Sequence, residues 1–379
     1  MDHPRWCQRD PAQHHRRARP GTAAGTECAV TELDFSELHD ELRAVAADLL
    51  GKEADGEVGA PLLAQAGWTG LEIAEEFGGA GATVRETVVI CQELGRAAAR
   101  SGYLGGAVIG VGLLNLLQPN ALRDRLLAEV AEGSATVAVG VSAEDRAVDP
   151  AWTLDADGRL SGSVPYVVDG AATWLLAPVT GPDGALVVAA VATDAAGVSV
   201  VDQPVVDETR SLATVSADGA AVEMLSFAGD PGSGLATVRD RAYLGLACDS
   251  LGLAEAMLDA TVSYLGVRQQ FGRPIGSFQA VKHACADMLV QISVTRQLVS
   301  AAVAAVAGGD PDAGRATAMA KAYAGEMAVQ VAGKAMQLHG GIGYTWEAGV
   351  HAYLKRATLN RALFGSPAAH RLRLTEDGR

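Results

Sequence analysis

From about Leu235 the chain is written as three long helical runs that have to pack against one another. They read VRDRAYLGLACDSLGLAEAMLDATVSYLGVRQQFG, FQAVKHACADMLVQISVTRQLVSAAVAAVAGG and GRATAMAKAYAGEMAVQVAGKAMQLHGG. Each run is alanine-rich and amphipathic, so its small apolar face must be buried on a neighbouring helix, and a bundle is the simplest solution. The segment GGDPD (308–312) marks the turn between the second and third runs.

Upstream of the bundle the pattern changes twice. From Leu33 to about Leu127 apolar residues recur every three to four positions, as in FSELHDELRAVAADLL and ETVVICQELGRAAA, with Gly67, Gly70, Gly78, Gly79 and Gly81 marking loops. From about Ser134 to Gly229 the chain turns to short β-rich runs, TVAVGVS, LSGSVPYVV, TWLLAPV, ALVVAAVA and VSVV, separated by turns such as DADGRL and GPDGAL. The expected fold class is α+β. Residues 32–133 form an N-terminal all-α domain, 134–232 a β-barrel or sandwich, and 233–379 a C-terminal four-helix bundle. Residues 1–31 are Arg- and His-rich and carry three prolines without hydrophobic period. They are expected to be a disordered or spurious extension; the Arg16–Arg17 pair resembles an export signal, but no apolar stretch follows it.

A net charge of −15 makes the chain a poor partner for nucleic acid. An anionic small molecule could be held only at a local basic or N–H-lined site. Cys7, Cys28, Cys91, Cys248 and Cys285 show no metal-ligand spacing, and their odd number suits reduced thiols in a cytoplasmic protein. The best candidate for a membrane span, residues 103–119, contains four glycines and an asparagine and falls short of the ~20 apolar residues a span needs. It reads as a buried helix, and no membrane span is expected.

Two segments carry candidate chemistry. In RQQFGRPIGSFQ (268–279), Arg268 can grip a phosphate through two parallel hydrogen bonds, Phe271 supplies a flat apolar face, Gly272 and Pro274 force a turn, and Gln279 offers a donor and an acceptor. In MQLHGGIGYTWE (336–347), Gln337 precedes the pair Gly340–Gly341. Taken singly, an arginine at a helix end is more often a dipole cap, and paired glycines are more often a helix stop. Together they are more specific. RxxFGxxIxxFQxxxxxxAD followed about fifty residues on by QxxGGxGYxxE resembles the acyl-CoA dehydrogenase family of flavoproteins. GWTGLEIAEEFGGAG, ELGRA and the α–β–α order are similar to that family too, and the resemblance covers about residues 33–374.

The resemblance implies FAD as cofactor, lying between subunits. Carried over residue by residue, it implies that Arg268, Phe271, Gln279, Gln337, Gly340 and Gly341 contact FAD bound mainly by a neighbouring subunit. It also implies an acyl-CoA thioester substrate, a homo- or hetero-tetramer with a second acyl-CoA dehydrogenase-like chain, and electron-transfer flavoprotein as acceptor. The family reaction removes a proton from Cα with a carboxylate while hydride leaves Cβ for the flavin.

The sequence departs from the family at the base. The position twenty-seven residues after Gln337 is Phe364, and the alternative position near the start of the first bundle helix is Ala242. Asp240 is the weak substitute, Asp249 lies further along the same helix, and Glu347 has a structural reading. The flavin-ring segments are also altered: AVGVSAEDRAVDP (138–150) keeps Ser142, and GSVPYVV (162–168) has Val164 and Val168 where the family has a lysine and a hydroxyl residue, keeping Tyr166 as the aromatic. The resemblance therefore implies the partner subunit of a heteromeric enzyme, similar to the actinobacterial branch acting on steroid side-chain thioesters. The alternatives are a homomeric dehydrogenase with a displaced base, a non-catalytic binding protein on the same fold, and a flavin oxidase or nitroalkane-type relative.

Overall fold

The computed structural model describes residues 36–52, 56–144, 151–346 and 348–376. The N-terminal extension, residues 145–150 of the altered flavin-ring segment, and Glu347 lie outside the described residues.

The first helical region comprises α1 (Ser36–Leu50), α2 (Ala60–Gln65), α3 (Val84–Arg96), a π-helical turn at Leu104–Gly110 that continues into α4 (Val111–Leu114), and α5 (Ala121–Glu132). A capping box starts α3: the Thr83 hydroxyl accepts the Arg85 N–H, and the Glu86 carboxylate accepts the Thr83 N–H at 2.8 Å. His39 of α1 meets the other oxygen of Glu86 at 2.8 Å, so the same carboxylate also fixes α1 on α3. The stretch read as a buried helix is buried, and its first half is π-helical.

Eight strands follow among the described residues: β1 (Val137–Val139), β2 (Thr153–Leu154), β3 (Leu160–Val168), β4 (Trp174–Thr180), β5 (Leu186–Ala192), β6 (Val198–Asp202), β7 (Leu212–Ala220) and β8 (Glu223–Leu225). One sheet has the order β1-β4-β5-β8, with β1 parallel to β4; the other has the antiparallel order β2-β3-β7-β6. Their inner faces share one apolar core, with Leu160, Val164 and Val215 from the second sheet and Leu175, Val179 and Val191 from the first. The nine-residue β7 is a long strand that the β-rich runs do not announce. Its sequence LATVSADGA is poor in branched and aromatic residues, and pairing on both edges, with β3 and β6, makes it a strand.

The bundle consists of α6 (Pro231–Val267), α7 (Gln279–Ala307), α8 (Ala313–His339) and α9 (Val350–Ala362), followed by α10 (Pro367–Glu376). A short hairpin, β9 (Gln269–Gln270) with β10 (Arg273–Pro274), links α6 to α7. At 37 residues α6 is about 55 Å long, and it is buried on every side from Ala242 to Ala254. It meets α3 at backbone contact distance. A Cβ on Gly252 would fall 1.9 Å from the Gln92 carbonyl oxygen, and one on Gly95 would fall 2.1 Å from that of Asp249. Only glycine permits that crossing, and Arg96 holds its rim through Glu255 and Asp259 at 3.2 and 2.9 Å.

The outer face of α7 departs from the sequence expectation. Among the described residues α7 is the one helix long and apolar enough to cross a membrane by length and composition, whereas residues 103–119 were the better candidate in the sequence. Only 22% of its most apolar window is buried, and Leu289, Val290 and Val294 are exposed along it.

Candidate functional site

The two motif segments meet at one end of the bundle. Because α6 and α8 both run antiparallel to α7, their C-terminal ends lie together, and the rings of Tyr264 on α6 and His339 on α8 stack at 4.7 Å with an interplanar angle of 17°. Arg268 ends α6. Phe271 and Gly272, both left-handed at φ 53° and 74°, form the tip of the hairpin. Gln279 opens α7, and Gln337, Gly340 and Gly341 close α8.

This corner is open. Arg268, Gln279, Gln337, Gly340 and Gly341 are exposed, and Phe271 is 92% exposed. Among the described residues its ring makes an edge contact to Phe278 at 6.1 Å, while Arg273 stacks over Phe278 at 4.0 Å. Among the described residues the Arg268 guanidinium has no hydrogen-bond or ion-pair partner, so five donors face outward. Gly340 sits at φ 63°, ψ −143°, a conformation that a residue with Cβ resists, and no atom lies within 4 Å of where a Cβ on Gly340 or Gly341 would be. An unpaired guanidinium, an exposed aromatic ring and an unobstructed glycine turn make a donor set suited to a dinucleotide diphosphate.

The segments around Phe364 are closed. Phe364 is 1% exposed and left-handed at φ 53°. Its N–H donates to the Ala143 carbonyl at 2.6 Å, and the Ala143 N–H donates to the Tyr166 carbonyl at 3.0 Å. Tyr166 is itself left-handed at φ 56°, and its N–H donates to Gln203 Oε1 at 3.0 Å. The end of β1, the bulged part of β3 and the turn after α9 therefore satisfy one another's backbone. Val164 and Val168 are buried beside them, and the Ser142 hydroxyl accepts the Glu144 N–H. Ala242 is also 1% exposed, within α6.

Neither nearby aspartate stands free. Arg239 Nε and Nη2 both donate to Asp240 Oδ1 at 3.2 Å, and the other Asp240 oxygen would lie 2.9 Å from a Cβ on Gly314 at the start of α8. Burial raises the Asp240 carboxyl, with Arg239 opposing. Asp249 belongs to a buried polar cluster that the sequence does not signal. It accepts from Arg356 at 3.0 and 2.5 Å and from Asn360 at 2.6 Å, and it pairs with Arg210 at 3.0 Å. Burial works to raise it, but Arg356 and Arg210 outweigh burial and hold the carboxyl at about 2.

Behind Phe364 lie two more buried ionisable groups. Burial lowers the Lys321 amine to about 7, and its contacts to the carbonyls of Arg361 and Gly365 are long, 3.4 Å each. His370 is fully buried, neither ring nitrogen makes a well-formed hydrogen bond, and Tyr243 contacts it edge-on at 4.5 Å. Burial lowers His370 to about 4, with Lys321 and Arg373 acting in the same direction and the nearby Phe364 and Gly365 backbone opposing. Because the folded value lies below the ordinary 6.5, this group's contribution to stability is present above pH 6.5 and is lost as pH falls toward 4. The loss reaches on the order of 3 kcal/mol across the whole window. Urea unfolding at pH 7 and pH 5 should show His370→Leu losing about 2 kcal/mol less than the wild type; parallel losses would reject the assignment.

The family model for the acyl-CoA dehydrogenase C-terminal domain matches residues 240–377, and that for the N-terminal domain matches residues 36–134. A curated relative, acyl-CoA dehydrogenase IpdE2 of Mycobacterium tuberculosis, is 35% identical over 308 residues, covering 81% of each chain. Two solved structures superpose over most of the molecule. A variant of the Tcur3481–Tcur3483 steroid ACAD is 29% identical with a TM-score of 0.79, covering 90% of this chain and 98% of its own. The ChsE4–ChsE5 complex from Mycobacterium tuberculosis is 25% identical with a TM-score of 0.77, covering 91% and 96%.

Proposed function

Because the chain belongs to the acyl-CoA dehydrogenase family of oxidoreductases, we propose that it acts in α,β-dehydrogenation of an acyl-CoA thioester as the partner subunit of a heteromeric enzyme. The observation that carries this reading is the contrast between its two sites: the Arg268–Gly340 corner is open and unpaired, while the segments at Phe364 close on themselves. FAD is the family's cofactor and, when bound, accepts the hydride that leaves Cβ. In this chain Arg268 would hold the diphosphate, the N–H groups at Gly340–Gly341 would approach it, and Phe271, Gln279 and Gln337 would line the rest. With phenylalanine and alanine at the two base positions, the carboxylate that removes the Cα proton comes from the sister chain.

The exposed apolar residues fit the same assembly. Leu289, Val290 and Val294 on α7, with Tyr344 and Trp346 beyond α8, leave an apolar surface that a second acyl-CoA dehydrogenase-like chain would cover. The similarity to a steroid ACAD and to a two-chain complex supports a hetero-tetramer acting on a steroid-type acyl-CoA. Electron-transfer flavoprotein is the proposed acceptor, and the cytoplasm the proposed site of action.

Co-expression with a related acyl-CoA dehydrogenase chain tests the assignment. The pair should purify as a yellow complex that bleaches on adding its acyl-CoA, and this chain alone should be colourless. A yellow, active homo-oligomer would overturn the partner role. It would favour the second reading, a displaced base at Asp240, whose carboxyl burial raises. In that case Asp240→Asn should abolish flavin reduction.

A further inference from the structure

A half-open cavity lies away from both of these sites. A cavity of about 260 Å³ is bounded by α2, α5, the π-helical turn, the start of β1 and the loop after β3. This exceeds the ~150 Å³ that suffices to bind benzene. Its apolar lining includes Leu63, Val130, Val137 and Ala172, and its polar lining includes Thr69 and Asp169.

The cavity is separate from the Phe364 region. Leu104 and Val108 of the π-helical turn pack against Gly245 of α6, while Gly106 faces Val137 of β1, so the turn stands between the cavity and α6. β1 begins at the cavity with Val137 and leads away from it to Ala143, where Phe364 is bound.

Two polar groups lack full partnership. The Thr69 hydroxyl oxygen is buried and has no hydrogen-bond partner. Asp169 Oδ2 accepts the Gly105 N–H at 2.8 Å, and no bond to its other oxygen is made among the described residues. Burial lifts this carboxyl to about 6, with the Gly105 N–H, Arg210 and Arg356 opposing, so near neutral pH it is largely ionised and serves as an acceptor for a ligand hydroxyl. The rim carries one exposed residue of each sign, Arg100 and Glu57, and so selects neither anion nor cation. A buried hydroxyl left unbonded is costly, and a ligand hydroxyl removes that cost.

We propose that this cavity is a ligand site for a small, neutral, largely apolar alcohol whose hydroxyl bonds to Thr69, with Asp169 as a further acceptor in the lining. The site needs neither flavin nor a sister chain, so its test is independent of the proposed catalytic role.

The probes are β-tetralol and its hydrocarbon parent tetralin, titrated into the full chain by ligand-observed NMR. β-Tetralol should bind about tenfold more tightly than tetralin. Thr69→Val keeps the shape of the side chain and removes the orphan hydroxyl. It should melt no lower than the wild type and should bring the two probes to within about twofold of each other. Ala172→Phe fills the space and should abolish binding of both; if that variant fails to fold, Thr69→Val decides alone. The proposal is overturned if neither probe binds the wild type at millimolar concentration, or if both bind it equally. It is also overturned if the preference survives in Thr69→Val, or if a folded Ala172→Phe binds as before.

Discussion

Arg268→Ala should strip most of the flavin from the assembled enzyme while leaving the chain folded. The guanidinium has no partner among the described residues, so its removal disturbs no internal bond. A charge-assisted hydrogen bond to an anion contributes roughly 1.5–3 kcal/mol, which corresponds to about 10- to 150-fold in FAD affinity. Gly340→Val should act at the same corner for a different reason. At φ 63° a β-branched residue costs on the order of 1–3 kcal/mol, and its side chain would occupy the open space over the turn. The measurement is flavin content and FAD affinity of the complex made with each variant, with gel filtration to confirm assembly. If both complexes retain flavin at wild-type affinity, this corner does not meet the cofactor, and the proposed role fails with it.

The largest effect on stability is expected from Arg356→Met. Arg356 is 1% exposed. It donates to Asp249 on α6, to the Ala99 carbonyl just beyond α3 and to the Thr209 hydroxyl before β7. One side chain therefore ties the first helical region, the β region and the bundle together. Its loss leaves Asp249 buried with Arg210 as its one remaining counter-charge and Asn360 as a neutral donor, and strands two further acceptors. Removing one member of a buried ion pair costs about 3–5 kcal/mol, and urea unfolding at pH 7 should register about 4 kcal/mol. The acid limb should move as well. Asp249 sits at about 2 in the folded chain, below its ordinary value near 3.9. Its contribution is therefore present above pH ~4 and is lost as pH falls toward 2. Without Arg356 its carboxyl rises, and acid unfolding should begin at a higher pH. Unchanged stability would mean that Arg210 and Asn360 suffice.

Much of the fold could be read from periodicity. Helical spacing marked the first region and the three long bundle runs, and β-rich runs with Asp–Gly turns marked five of the strands. β7 escaped because its residues are small and mixed, and its conformation is imposed by neighbours on both edges. The exposed corner was legible for the same local reason as the helices. Arg268, Phe271 and Gly272 lie within one turn, and Gln337, Gly340 and Gly341 within another, so each group is assembled by a few consecutive residues.

What the sequence by itself determined was the α–β–α order and the chemistry available at each turn, because these follow from contacts between residues a few positions apart. Only the tertiary structure decided which of those groups are free. Asp249 reads along the chain as a spare carboxylate, yet Arg356, 107 residues away, neutralises it. Phe364 reads as a missing base, yet its backbone is bonded to Ala143. Whether a charge or an N–H can meet a ligand depends on what already satisfies it, and in a packed interior those partners come from remote segments.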